Sequence, residues 1–157
     1  MPLQFLDDFS QTSVIRWVAE SDWGYPIVLT GHAIGMSLVV GIMMIYELRV
    51  LGLGQRIPLP TFRPLFRVAW LGFAINLTSG TLLFCANYVA FIRNAAFISK
   101  ISLLCLAALV SWWLVRHVGP AETTAARRAR LIASLGLLLW LGAIAAGRII
   151  AYTNVPD

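Results

Sequence analysis

The residues of this chain that could do chemistry are few, and they lie inside otherwise apolar sequence. His32 falls within Ile27–Tyr46, a stretch that carries no other charged side chain. An imidazole there can accept or donate a hydrogen bond, exchange a proton or ligate a haem iron. A titratable group at membrane depth is costly, which makes it a functional-site candidate. Arg148 lies near the end of the last apolar run, with Ile149, Ile150 and Ala151 beyond it. A guanidinium so placed needs a carboxylate, carbonyls, water or a ligand anion as its partner. Asn87, Tyr88 and Phe84 close the second apolar run, and Lys100 opens the third. A quinone-type ring needs a polar group at each oxygen and a flat apolar slot. His32, Asn87 and Arg148 have the chemistry for the ends, with Phe84, Tyr88 and Trp23 for the walls.

Each of these residues also has a packing role open to it. Lys100 and Arg148 can snorkel to the headgroups. Asn76 and Asn87 are residue types that join helices, and a lone histidine can bond a backbone carbonyl. No nucleophile–base pair, phosphate loop or zinc spacing is present, so no self-contained catalytic or metal site is readable. Cys85 and Cys105 fall in apolar runs and read as small hydrophobes that stay as thiols. The second histidine, His117, falls at the opposite end of the helical framework, about 20 Å from His32 along the bundle axis. A haem would therefore take His32 with a ligand from another chain, or be five-coordinate.

These residues are positioned by long apolar helices. The chain has 157 residues, 59% hydrophobic and 12% charged, and its mean hydropathy is +0.80. That composition belongs to an integral membrane protein with room for a single domain, residues 1–157. The expected fold is all-α: a membrane four-helix bundle with helices over about 26–49, 65–92, 96–118 and 126–152. A short amphipathic helix over about 11–21, with Val14, Ile15, Trp17 and Val18 on one side, is expected to lie in the interface. The first run reads as ending where Glu47 and Arg49 enter. Pro58, Pro60 and Pro64 exclude a continuous helix between the first two spans. Gly31 and Gly35 beside His32, and Ala143 and Gly147 beside Arg148, are small-residue pairs that allow close helix approach and a contact between the first and fourth helices. The first residues lack a basic region and include Asp7 and Asp8, unlike a cleaved signal.

The net charge of +5 does not speak for nucleic acid, because the basic residues lie in loops. Arg49, Arg56, Arg63 and Arg67 flank the first connection, and Arg116, Arg127, Arg128 and Arg130 the third. Arg16, Arg93 and Lys100 are the sparser set on the other side. The excess of arginine orients both rich loops to the cytoplasm and both termini to the periplasmic side of a bacterial inner membrane.

The chain resembles an uncharacterised family of small bacterial four-helix membrane proteins, a domain of unknown function. The resemblance spans nearly the whole chain. It rests on Tyr25–Pro26, His32 with Gly35, Glu47–Leu48–Arg49–Val50–Leu51–Gly52, Ser79–Gly80–Thr81–Leu82–Leu83–Phe84, Asn94–Ala95–Ala96–Phe97 with Lys100, and Gly147–Arg148. In that family the exit from the first helix typically reads Asp-Leu-Arg-Leu-Leu-Gly, and a glutamate often stands where this chain has Leu29. The resemblance implies the fold and carries no activity.

Three readings follow. The first is a non-catalytic membrane subunit or anchor of a redox assembly, with a polar pocket near the outer face for a quinone or haem contacted through His32. The second is a structural or assembly subunit without a ligand. The third is a small-anion or metabolite transport component. In each the partners are the bilayer and other membrane subunits or further copies of the chain.

Overall fold

The computed structural model describes residues 2–118 and 127–153. The loop around Glu122, the start of the fourth run at Ala126 and the tail after Thr153 lie outside the described residues. The described elements are α1 (Pro2–Ser10), α2 (Ser13–Glu20), α3 (Gly24–Leu51), a short 3-10 turn (Leu59–Phe62), α4 (Arg63–Ala86), α5 (Tyr88–Ile92), α6 (Ala95–His117) and α7 (Arg127–Thr153). Four helices are long and apolar enough to cross a membrane, with spans of 23 to 28 residues. The fold is all-α, and the four long helices pack pairwise, α3 against α4 and α6 against α7. The two hairpins meet where α3 lies along α7, so the first and fourth membrane helices are in contact, but at Glu47 and Gly136; Gly35 faces α4 and Gly147 faces Lys100 of α6.

Local sequence explains where each helix stops. Gly52 adopts φ 109°, and the Leu53 N–H reaches back to the Leu48 carbonyl, so α3 ends in a glycine-terminated Schellman turn. Arg49 leaves the helix face and donates to the carbonyls of Ile57 at 2.6 Å and Gln55 at 3.1 Å, tying down the first connection. Asn87, at φ −147° and ψ 44°, breaks the second run, so the single helix expected to Ile92 is two, α4 and α5. The Asn94 side chain accepts from the amides of Ala96 at 2.9 Å and Phe97 at 3.2 Å and so caps α6.

The N-terminal segment forms two helices rather than one. α2 buries Ile15 and Val18 against α3 and α4 and leaves Val14 and Trp17 exposed. A side chain at Gly24 would run into the Trp17 carbonyl and the Val18 backbone, so the α2–α3 elbow requires glycine there. Arg16 and Glu20 form the expected i,i+4 pair at 3.3 Å on the exposed face.

Two apolar layers fill the bundle. The first joins Tyr46, Val50, Phe62, Leu114, Val118, Ala129 and Ala133 at the end bearing the first connection. There Tyr46 sets its ring edge-on to Phe62 and Phe66, at 5.5 and 5.4 Å, and donates to the Leu114 carbonyl at 3.4 Å. The second layer is mid-bundle and gathers Met36, Val40, Met43, Ala107, Leu139 and Trp140. Aromatic rings and cations dress the same end of the bundle as the first layer. Trp113 stacks on His117 at 4.6 Å, Arg116 covers Trp112 and Arg128 covers Trp113.

Candidate functional site

His32 is half-buried between α3 and α4, and its surroundings define its tautomer. Nδ1 lies 3.2 Å from the Asn76 carbonyl and 3.2 Å from Ser79 Oγ. The carbonyl only accepts, and the Ser79 hydroxyl spends its proton on the Ile75 carbonyl at 2.6 Å. Asn76 Nδ2 also lies 3.4 Å from Nδ1 but makes its shorter bond to the His32 carbonyl, so the Asn76 carbonyl contact favours a proton on Nδ1 and a lone pair on Nε2. Asn76 Nδ2 returns a bond to the His32 carbonyl at 3.0 Å, so the α3–α4 contact is reciprocal. No described residue hydrogen-bonds Nε2.

Glycines allow this approach. A Cβ at Gly35 would fall 2.7 Å from the Gly72 carbonyl oxygen and 2.8 Å from the Asn76 nitrogen, and one at Gly80 would press on the His32 ring at 3.0 Å. Gly31, in contrast, has open space where a Cβ would go. Of the two glycines beside His32, Gly35 alone forms the close contact.

Lys100 on α6 is the second member of the layer. Its aliphatic stem runs past Gly147, where a Cβ would meet Cε at 3.5 Å, and its ammonium lies within electrostatic reach of His32. No carboxylate pairs with Lys100 among the described residues. An interior lysine and a histidine with an unspent acceptor thus share one level of the bundle.

The other expected site residues lie elsewhere. Arg148 is exposed on α7, its guanidinium over the Tyr152 ring at 5.7 Å, and Tyr152 is itself 69% exposed. The helix face, more than the depth, sets this: Ala143, Ala146 and Gly147 take the inward positions. Phe84 stacks with Phe91 and Phe97, at 6.5 and 5.5 Å, where the second hairpin begins. Asn87 and Tyr88 line a cleft of ≈ 220 Å³ shared with Ser10, Gln11, Arg16 and Glu20 of the N-terminal segment. The Tyr88 hydroxyl donates to Asp7, tying α5 to α1. That bond, followed by burial and the Asp7 charge, raises the Tyr88 phenol above its ordinary range. Among the described residues, none of Phe84, Asn87, Tyr88 or Arg148 shares a hydrogen bond or ring contact with His32.

Glu47 lies where the sequence places the end of the first apolar run, and the structure corrects that reading. The helix continues to Leu51, and Glu47 is 0% exposed, the most buried polar residue of the bundle. The heptad step from Val40 carries it onto the face that meets α6 and α7. Ser111 Oγ donates to Glu47 Oε1 at 2.7 Å and accepts from the Trp140 indole N–H at 3.2 Å. Oε2 has no partner. Gly136 on α7 leaves the space the carboxyl fills, since a Cβ there would overlap it. An unpaired neutral hydroxyl costs about 1–3 kcal/mol, whereas leaving a buried charge without its partner costs about 3–5 kcal/mol. Burial away from any cation therefore favours the neutral acid over the carboxylate. The signal was present in Ser111, Gly136 and Trp140, which stand in otherwise apolar helices, but their pairing needs the register of three helices.

Cys85 and Cys105 are free thiols, as expected, Cys85 buried and Cys105 on the outer surface of α6.

The fold and its polar interior define a small four-helix membrane protein. No family model matches the chain, and no curated protein or solved structure is significantly similar to it.

Proposed function

We propose that the protein is a small, non-catalytic membrane subunit of a redox assembly, and that its His32–Lys100 layer meets a quinone-type ring. The observation that carries this reading is the pairing of complementary, unspent groups. Among the described residues, Nε2 of His32 has no hydrogen-bond partner, and Lys100 has donors and no carboxylate. A quinol presents a hydroxyl for the first, and the opposite ring oxygen accepts from the second. A haem iron is the other acceptor of a free Nε2, because an Nδ1–H bonded to a carbonyl is how histidine ligands are oriented. The second such nitrogen of the chain, on His117, lies at the opposite end of the bundle, so that arrangement draws its second ligand from a neighbouring subunit.

The pocket first drawn from His32, Asn87, Arg148, Tyr88 and Phe84 becomes two regions in this reading. His32 and Lys100 contact the ring, and the Asn87–Tyr88 cleft serves the interface with the rest of the assembly. The arginine-rich first connection supports a bacterial inner-membrane orientation with that end of the bundle in the cytoplasm and the His32 layer near the periplasm. The resemblance to the uncharacterised four-helix family is consistent with this and adds no activity.

The assembly reading has its own support. The Asn76 and Ser79 bonds to His32 join α3 to α4 whether or not a ligand is present. Purification in native lipid, with visible absorbance, mass spectrometry of the lipid extract and binding of a radiolabelled short-chain quinol, decides between the two. Quinol binding that is lost in His32→Phe and weakened in Lys100→Met, with the helical fold kept, supports the redox reading. Neither bound quinone nor haem, with co-purifying membrane subunits only, transfers the protein to the assembly reading.

A further inference from the structure

Glu47 takes no part in the His32 layer. It lies about 22 Å farther along α3, beyond the dry Met36–Val40–Met43–Trp140 layer. We propose that Glu47 is a separate proton-binding site, whose neutral acid holds the α3–α4 hairpin against the α6–α7 hairpin and whose ionisation parts them.

The geometry has three components. The carboxyl is fully enclosed by three helices, with Ser111 of α6 on one oxygen and Gly136 of α7 against it. Its second oxygen is buried with no hydrogen-bond partner among the described residues, and the closed site offers the carboxyl neutral donors but no cation to balance a negative charge. The charged groups nearby are engaged elsewhere or exposed. On α3, Arg49 is committed to the carbonyls of Ile57 and Gln55, and Tyr46 donates to the Leu114 carbonyl. On α4, Arg63 and Arg67 are exposed. On α6, Arg116 covers Trp112, and His117 bonds the Trp113 carbonyl. On α7, Arg128 lies over Trp113, and Arg127 and Arg130 are exposed.

Loss of the proton, transferred to water at the end of the bundle bearing the first connection, leaves a carboxylate that the closed interface cannot solvate. The carboxylate is hydrated only when α3 moves away from Ser111 and Gly136. Rebinding a proton restores the closed form. The sign follows: closed when protonated, open when ionised, with opening favoured as pH rises.

The test uses the full chain in phospholipid bilayers, with Cys85→Ala and Cys105→Ala and spin labels at Leu53→Cys and Leu131→Cys. Both label positions are exposed, 60% and 63%, beyond or near the ends of α3 and α7. Infrared spectra should show a carboxylic-acid carbonyl band at neutral pH that is absent in Glu47→Gln. As pH rises, the band should disappear while the label-to-label distance lengthens. In Glu47→Gln, which cannot ionise, the distance should stay short throughout. If Glu47→Gln does not fold, Ser111→Ala assigns the band instead, because removing the donor to Oε1 shifts its frequency. A carboxylate with the labels at the short distance at neutral pH overturns the proposal. So does a band that persists at every pH at which the helices stay folded, since Glu47 is then a fixed strut. Opening in Glu47→Gln to the same extent as in the unaltered chain also overturns it.

Discussion

The α3–α4 contact makes a sharp prediction from two glycines that look alike in sequence. Gly31 and Gly35 are one helical turn apart and flank the same histidine. Alanine at Gly35 places a methyl 2.7 Å from the Gly72 oxygen and 2.8 Å from the Asn76 nitrogen, both backbone atoms that no rotamer change can move. Reaching an ordinary contact distance takes roughly 0.7 Å of helix separation. That movement stretches the Asn76 Nδ2 bond to the His32 carbonyl, now 3.0 Å, and the 3.2 Å bonds of His32 Nδ1 beyond hydrogen-bonding range. Overpacking costs about 1–3 kcal/mol, and interhelical hydrogen bonds in membranes average about 0.6 kcal/mol each. Gly35→Ala should therefore destabilise by about 3 kcal/mol. Gly31→Ala meets nothing within 4 Å and should be neutral or stabilising by about 0.5–1 kcal/mol, the ordinary helix preference for alanine. Reversible unfolding in mixed micelles gives both numbers. Nitrogen chemical shifts of the imidazole report whether Nδ1 stays protonated and bonded. Equal stability losses in the two variants, or a Gly35→Ala variant with the His32 signals unchanged, would refute the reasoning.

Four further outcomes are expected. Gly136→Ala should destabilise by about 2–3 kcal/mol because its methyl displaces the Glu47 carboxyl, and the loss should largely vanish in a Glu47→Ala background, as a double-mutant cycle of unfolding free energies will show. Trp140→Phe removes the donor to Ser111 and leaves a cavity where the larger indole packs, so it should cost about 2–3 kcal/mol in the same assay, with the helix content by circular dichroism unchanged. The Tyr88 phenol should titrate above its ordinary range and return toward it in Asp7→Asn, followed by tyrosinate absorbance. The folded-state value is raised, so the α1–α5 tie is fully present at neutral pH and is lost as pH rises through that value. In the proposed orientation, Gln55→Cys in a Cys85→Ala, Cys105→Ala chain should react with an impermeant maleimide in inverted vesicles and not in intact cells, and the reverse pattern would invert the topology.

The sequence shows the four membrane helices plainly because charge and proline punctuate long apolar runs. The helix stops at Gly52 and the cap at Asn94 are local and equally legible. The site was less so, for a physical reason. Depth along a helix can be counted from its ends, and that count puts His32, Asn87, Lys100 and Arg148 near one level. The angular face of each residue depends on which neighbour its helix meets. Arg148 and Lys100 are comparably deep, yet Ala143, Ala146 and Gly147 take the inward face of α7 and leave Arg148 outward. Glu47 reverses the error, for it was read as the water-facing end of a run and lies at the meeting of three helices. Asn87 reads as a membrane-depth polar group and is a helix break, because Tyr88–Ile92 starts a new element.

The distribution of polar groups along α3 constrains how any function can be organised. His32 and Glu47 are two titratable interior groups of that helix, and they engage different partners. His32 bonds the neighbouring helix of its own hairpin, whereas Glu47 bonds the opposite hairpin. Between them Met36, Val40, Met43 and Trp140 form a layer with no hydrogen-bonding relay other than the Trp140 indole, which is spent on Ser111. Among the described residues, no relay of side chains links a proton released at one level to the other. Coupling between the two levels would therefore pass through movement of α3 itself. Such a rigid helix, fixed by Gly35 against α4 and by Glu47 against α6 and α7, transmits a displacement at either end. Ligand binding at His32 should then alter the infrared band of Glu47 only when the hairpins move, and a quinol that shifts the band while the Leu53–Leu131 label distance stays constant would contradict that coupling.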